Sequence, residues 1–147
     1  MIEPVEVHVV LDSTPEQAFK AFTDNINSWW PVESHSICKG TVKLDPTLGG
    51  EIIETGADGQ THVWGHVTEW TPPNSLKIEW YVGRTPAEGT QIHVTFLATD
   101  DGRVGVTLVH SGWEILGESA LETRDMYQSG WSGMLNGCYA PHLASLA

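Results

Sequence analysis

A run of short strand-like segments, divided by turn residues, fills the middle of the chain and limits the possible folds more than any other feature. Six segments are typical of strands: residues 36–44, 50–55, 61–70, 75–82, 90–98 and 104–111. The gaps between them are short and rich in glycine, proline, aspartate and asparagine, which favour turns. Parallel neighbours need long crossover connections, so these strands are expected to pair antiparallel.

The segments before this run predict one more strand and two short helices. Residues 5–11 alternate in polarity, which predicts a strand with its valines inward. A helix is expected to begin near Ser13 and Glu16, which have the spacing of a capping box. A second short helix is predicted for residues 26–30, ended by Pro31.

The chain ends with a predicted helix over residues 118–143 that carries two stripes. At about 100° per residue, one apolar and aromatic face is formed by Tyr127, Trp131, Met134, Leu135, Cys138 and His142. A second stripe consists of Gly130, Gly133 and Gly137. Each glycine costs about 0.5–1 kcal/mol in a helix relative to alanine. The stripe therefore indicates a close backbone approach or space left beside the helix, with a local kink as the alternative.

The order of these elements is strand, two helices, six strands and a long helix. This order is typical of an α+β domain and does not fit a helix bundle or a doubly wound sheet. The 147 residues suit one domain, residues 1–147. Because the long helix has one apolar face, it is expected to bury that face on the sheet.

Charge and hydropathy exclude several classes of partner. The net charge is −12 with no basic cluster, so neither nucleic acid nor an anionic lipid surface is an expected partner. No apolar run reaches the length of a membrane helix, and the first residues lack the features of a signal peptide. Cys38 and Cys138 lie far apart without metal-ligand spacing. They fit reduced thiols in a cytoplasmic protein, with a disulfide left open as the alternative.

Short motifs occur in a fixed order along nearly the whole chain. They are Ser13-Thr14-Pro15-Glu16-Gln17-Ala18-Phe19, Thr23-Asp24, Trp29-Trp30-Pro31, Gly49-Gly50, Trp64-Gly65-His66-Val67, Pro72-Pro73-Asn74-Ser75-Leu76 with Trp80, Val106-Thr107-Leu108-Val109-His110-Ser111-Gly112-Trp113-Glu114, Tyr127-Gln128-Ser129-Gly130-Trp131 and Met134-Leu135. Together they resemble the START-like (SRPBCC, Bet v 1-like) superfamily, in the branch related to the C-terminal domain of the activator of Hsp90 ATPase. The resemblance implies the helix-grip fold, in which a seven-stranded sheet curves around the C-terminal helix.

The resemblance also implies a range of functions. Members of the superfamily bind lipids, hormones or polyketides in a central cavity, and some catalyse cyclisation or dehydration there. Eukaryotic Hsp90 activators carry an additional N-terminal domain, for which this chain has no room. The leading expectation is therefore a protein that binds a small apolar or aromatic molecule. An enzyme, a chaperone-linked interaction domain and a homodimer are kept as alternatives.

Aromatic residues supply most of the candidate ligand contacts. Seven tryptophans are present, and indoles suit a cavity for an amphipathic ligand, although they also fill cores. The candidate ligand-binding residues are Trp30, Trp64, Trp80, His110, Trp113, Tyr127, Trp131 and Met134. Among charged residues, Glu54 and Glu114 are candidates for a cavity mouth, and Arg124 is expected to form a surface ion pair.

His110 is the candidate catalytic residue. It alternates with Val106 and Leu108, so it is expected to face inward. There it would orient a ligand carbonyl or act as an acid or base, the alternative being a buried histidine bonded to backbone or a hydroxyl. No cofactor is predicted. No metal site is predicted either, because four strand residues place His62 and His66 roughly 13 Å apart.

Overall fold

Seven strands form a single antiparallel sheet in the computed structural model, which describes residues 2–146. They are β1 (Val5–Leu11), β2 (Thr41–Leu44), β3 (Glu51–Thr55), β4 (Thr61–Thr71), β5 (Ser75–Trp80), β6 (Thr90–Ala98) and β7 (Val104–Ser111). Their order across the sheet is β1-β7-β6-β5-β4-β3-β2, so β2 to β7 form a meander and β1 closes the far edge beside β7. Two register shifts along β4 bend the sheet into a curve.

The helices lie at the two ends of the chain. They are α1 (Pro15–Phe22), α2 (Ala120–Met134) and α3 (Ala140–Ser145). A π-helical turn over Leu135–Tyr139 joins α2 to α3, so the C-terminal helix is continuous but locally widened. The predicted α+β helix-grip fold, a curved seven-stranded sheet and a long C-terminal helix, is confirmed. Within residues 2–146, no helix is both long and apolar enough to cross a bilayer.

Two details at the start of the chain differ from the prediction. The cap of α1 is Thr14, whose hydroxyl accepts a hydrogen bond from the backbone N–H of Gln17 at 3.2 Å, and not Ser13. Ser13 instead donates to the side chain of Gln17. The second helix is only a 3-10 turn over Ile26–Ser28, so the prediction of a helix to residue 30 was wrong.

The pairing of β6 with β7 places their inward residues on one face. Ile92 lies opposite His110, Val94 opposite Leu108 and Phe96 opposite Val106 in the register. All six side chains are buried. The five residues between these strands allow this arrangement, as expected for a connection of odd length.

The predicted strand over residues 36–44 is shorter than expected, and begins only at Thr41. The backbone N–H groups of Ile37, Cys38 and Gly40 bond to the carboxylate of Glu54, at 2.8, 3.0 and 2.8 Å. A chain whose donors converge on one side chain cannot also pair as a strand. Residues 37–40 therefore form a loop anchored on β3.

Aromatic side chains form two clusters beneath the C-terminal helix. The first, the distal cluster, consists of Phe19, Phe22, Trp29, Trp70, Phe96 and Tyr139. The second, the indole cluster, consists of Trp30, Trp64, Trp80 and Trp131. Trp29 and Trp30 are in contact at 5.5 Å between ring centroids, so the two clusters are continuous.

Candidate functional site

A cavity of about 330 Å³ lies between the sheet, the C-terminal helix and residues 30–36. Its lining consists of Trp30, Ser34, His35, Ser36, Trp64, Trp80, Val82, Met126, Tyr127, Gly130, Trp131 and Met134. Strands β4 and β5 supply Trp64 and Trp80, and α2 supplies the residues from 126 to 134. The cavity is therefore lined by residues of the sheet, of α2 and of the segment 30–36.

The indole cluster forms the inner walls of this cavity. Ring centroids of neighbouring indoles lie 5.2 to 6.0 Å apart, in tilted and edge-to-face arrangements. These are favourable separations for aromatic pairs. None of the four side chains is more than 7% exposed, so the walls are apolar and shielded from bulk water.

Every indole N–H of the cluster is already hydrogen-bonded to the protein. Trp30 donates to the carbonyl of His35 at 2.6 Å, and Trp64 donates to Glu54 at 3.2 Å. Trp80 donates to the hydroxyl of Tyr127 at 3.2 Å, and Trp131 donates to His110 Nδ1 at 3.0 Å. An indole has only one donor, so the four rings are fixed in orientation and offer a ligand their faces and edges.

Glu54 is a buried carboxylate behind the cavity wall. Its side chain is fully buried and accepts five hydrogen bonds: from three backbone N–H groups of the 37–40 loop, from the Cys38 thiol and from Trp64. Burial alone raises the pKa of Glu54, but the backbone donors outweigh it and hold the pKa at about 2. Glu54 therefore orients Trp64 and the loop, and does not face the cavity.

His110 lies one layer behind the cavity, in a chain of hydrogen bonds. Its Nδ1 accepts from Trp131, so the ring hydrogen is on Nε2, which donates to Thr90 Oγ1 at 2.6 Å. Thr90 in turn donates to the carbonyl of Trp80 at 3.2 Å. Desolvation of the fully buried ring lowers the pKa of His110 to about 3, so the imidazole is neutral.

Two of the predicted contact residues, His110 and Trp113, lie outside the lining of this cavity. Their rings lie 4.1 Å apart between centroids, and the Trp113 indole N–H donates to the carbonyl of His110 at 2.9 Å. Both ring nitrogens of His110 have partners within the protein, so the predicted ligand contact and acid/base role would require this network to open. The pattern correctly predicted an inward side chain, but not the layer of side chains in front of it.

The other six predicted contacts line the cavity: Trp30, Trp64, Trp80, Tyr127, Trp131 and Met134. Sequence reasoning missed Ser34, His35, Ser36, Val82, Met126 and Gly130. Only Gly130 had a signal, since it belongs to the glycine stripe of the helix. Residues 34–36 lie in an irregular segment without periodicity, so no pattern placed them against the helix.

The mouth of the cavity combines two polar residues with two methionines and a glycine, and opens into a wide surface groove of about 1140 Å³. Ser34, His35, Met126, Gly130 and Met134 border both spaces. The Ser34 hydroxyl lies 2.7 Å from His35 Nδ1. At Gly130, a Cβ would lie 3.6 Å from His35 Nε2, whereas Gly133 and Gly137 have no neighbouring heavy atom within 4 Å. The space beside the glycine stripe is therefore open at Gly133 and Gly137, and it is narrower at Gly130, where His35 lies close to the helix.

The remaining polar candidates lie away from the cavity. Glu114 accepts from the backbone N–H of Ile2 at 2.9 Å. Arg124 pairs with Asp125 at 3.2 Å and also donates to the carbonyls of Glu3 and Pro4, at 3.0 Å each. Cys38 and Cys138 are free thiols. In the described part of the chain, no group of three or more metal-binding side chains converges.

Comparison with solved structures shows the same fold in other proteins. Protein MLL2253 from Mesorhizobium loti has a TM-score of 0.72 at 15% identity, over 99% of this chain and 98% of its own. The Aha1 dimer from Colwellia psychrerythraea has a TM-score of 0.68 at 18% identity, over 97% and 96% of the two chains. The protein Txn09, described as an anthrahydroquino-γ-pyrone synthase complexed with SUM, is 30% identical over 82% of this chain and 84% of its own, with a TM-score of 0.59.

Comparison of sequences gives the family directly. No curated protein matches the chain. The family model for the activator of Hsp90 ATPase homolog 1-like proteins matches residues 12–138, from the residue after β1 into the π-helical turn. This match includes every residue that lines the cavity. The chain belongs to the family of activator of Hsp90 ATPase homolog 1-like proteins.

Proposed function

We propose that this protein binds a small, flat aromatic molecule in the cavity walled by the indole cluster. The observation that carries the proposal is a cavity of about 330 Å³ whose twelve lining residues include four indole rings, each with its N–H group already donated to the protein. Such walls favour a ligand that stacks on the rings and makes apolar contacts, and their indoles have no free hydrogen-bond donor for a polar ligand.

The volume and shape of the cavity limit the size of the ligand. About 330 Å³ lies at the lower end of the range for small-molecule pockets, roughly 300–1,000 Å³. A ligand of two or three fused rings suits this space better than a long lipid chain. Ser34 and His35 at the mouth would face any polar edge of the ligand that points outward.

The comparison with Txn09 supports an aromatic ligand. That protein is described as a synthase of an anthrahydroquino-γ-pyrone, and its identity of 30% extends over 82% of this chain. A fold alone does not determine function, so the indole cluster remains the main support. Catalysis by His110 receives no support from the geometry, because the lone pair on Nδ1 already accepts from Trp131.

Binding of fluorene, a three-ring hydrocarbon, tests this proposal. We expect fluorene to raise the melting temperature of the wild-type protein and to give a saturable isotherm in equilibrium dialysis. Gly130→Leu places a side chain across the mouth beside His35 and is expected to weaken binding by about tenfold or more.

Gly133→Leu is the matched control, one helical turn further along α2. It adds the same side chain where no heavy atom lies within 4 Å, and Gly133 borders only the outer groove. We expect it to bind fluorene within about twofold of the wild type. Absence of binding by the wild type, or an equal loss in both variants, would contradict the proposal.

A further inference from the structure

We propose that the ligand is an aromatic carbonyl compound, a ketone or a quinone, and that its carbonyl oxygen accepts a hydrogen bond from the hydroxyl of Tyr127. This inference rests on the proposed aromatic ligand and specifies its polar group. It follows from a comparison of the hydrogen-bond donors that line the cavity, most of which already have an acceptor on the protein.

The hydroxyl of Tyr127 has one hydrogen-bonding group still available. Its oxygen accepts from Trp80 Nε1 at 3.2 Å, and both residues line the cavity. Within residues 2–146, the hydroxyl hydrogen has no acceptor on the protein. The ring packs against both His110, at 5.0 Å between centroids, and Trp113, at 5.3 Å. The hydroxyl is therefore fixed in place, with its hydrogen available to a ligand.

The other donors of the inner lining are already used. The four indole N–H groups all donate to protein acceptors. The hydroxyl of Ser36 donates to the carbonyl of Val32 at 2.5 Å, and accepts from the backbone of Lys39. Ser34 bonds to Nδ1 of His35, and Nε2 of His35, which has no protein partner among residues 2–146, lies at the mouth beside Gly130 and outside the inner part. In the inner part of the described cavity, Tyr127 is thus the donor that a ligand can use.

The charge of the site favours a neutral acceptor over an anionic one. The twelve lining residues include no lysine and no arginine, so a carboxylate or phosphate would enter without a counter-charge. Burial raises the pKa of the Tyr127 phenol, so the hydroxyl keeps its hydrogen at neutral pH. A carbonyl oxygen on an aromatic ring is the neutral acceptor that fits a flat, apolar space. It would satisfy the Tyr127 donor, for which the described chain supplies no acceptor.

A pair of probes that differ by one oxygen tests the inference. Fluorene and 9-fluorenone share the three-ring shape, and only 9-fluorenone carries a carbonyl. Both are measured by equilibrium dialysis against the wild-type protein and against Tyr127→Phe, which removes the hydroxyl and keeps the ring. We expect Tyr127→Phe to weaken 9-fluorenone binding by about five- to tenfold, the contribution of one hydrogen bond, and to change fluorene binding by less than about twofold.

The fluorene arm reports on the proposed function, and the difference between the two arms reports on the hydrogen bond. The loss of a partner for the Trp80 N–H affects both probes alike, so it cancels in the comparison. If fluorene binds and Tyr127→Phe weakens both probes equally or neither, the inference is wrong while the aromatic cavity stands. If neither probe binds the wild-type protein, both proposals fail.

Discussion

Single buried polar residues determine the form of the cavity. Glu54 fixes the 37–40 loop and the indole of Trp64, and His110 fixes the indole of Trp131. Each group is buried and has its hydrogen bonds satisfied, so each specifies one orientation of its partners. Both residues were candidate site residues in the sequence. In the structure they bond to the tryptophans that line the cavity and do not line it themselves.

Loss of the Glu54 carboxylate is expected to destabilise the protein. In Glu54→Gln, an NH₂ group replaces one of the two oxygens that accept from the loop, so buried N–H groups lose their acceptor. We expect the free energy of unfolding at pH 7 to fall by about 2–3 kcal/mol, measured by urea denaturation. Glu51→Gln is the control, because Glu51 is exposed on the other face of β3, and it should change stability by less than about 0.5 kcal/mol. Equal effects of the two substitutions would contradict this role.

The low pKa of Glu54 predicts the pH range in which its carboxylate stabilises the protein. Its pKa is about 2 in the folded protein, against an ordinary value of 4.5, so the unfolded chain takes up the proton first. The contribution of Glu54 to stability is therefore complete above about pH 4.5 and is lost as the pH falls towards 2. The stability difference between the wild type and Glu54→Gln should shrink over this range, and a constant difference down to the folded-state pKa would contradict the assignment.

At the scale of elements, the sequence predicted regular segments well and irregular ones poorly. The bounds of β1, β6 and β7 match the prediction, because local alternation and short turns determine them. The predicted start of β2 was wrong because residues 37–40, which precede the strand, bond to Glu54, 14 to 17 positions further along the chain. Long-range hydrogen bonds of this kind leave no local pattern. The mouth residues 34–36 were missed for a different reason, since their hydrogen bonds are local, to Trp30, Pro31, Val32 and Lys39, and hold an irregular turn without the periodicity of a helix or strand.

The glycine stripe of α2 makes a prediction that belongs to the helix itself. A Cβ added at Gly133 would meet no heavy atom within 4 Å, and the residue has no positive φ, so neither contact nor backbone requires glycine there. Gly133→Ala should raise the free energy of unfolding by about 0.5–1 kcal/mol in urea denaturation. Gly112→Ala is the opposite case, since Gly112 has a φ of +83°, and it should destabilise the protein. A loss of stability in Gly133→Ala would show that α2 needs the glycine for close packing.

At the scale of the whole molecule, the curved sheet and the long helix enclose two aromatic clusters with different roles. The distal cluster packs α1 and the π-helical turn onto the sheet, and its Tyr139 donates to the carbonyl of Ala18 at 2.6 Å. The indole cluster borders open space, because residues 30–36 and the glycine side of α2 do not fill it. The sequence predicted the tryptophans as a group. Which of them fill the core and which line a cavity depends on the tertiary arrangement, so composition alone did not separate them.

The indole N–H signals of the protein test the central claim most directly. Titration with 9-fluorenone, followed by ¹H–¹⁵N spectra, observes all the tryptophans at once. We predict saturable shifts for the indole cluster, Trp30, Trp64, Trp80 and Trp131, with Trp70 unchanged because it packs on Phe19 in the distal cluster. Spectra that do not change, or shifts centred on Trp70, would contradict the account.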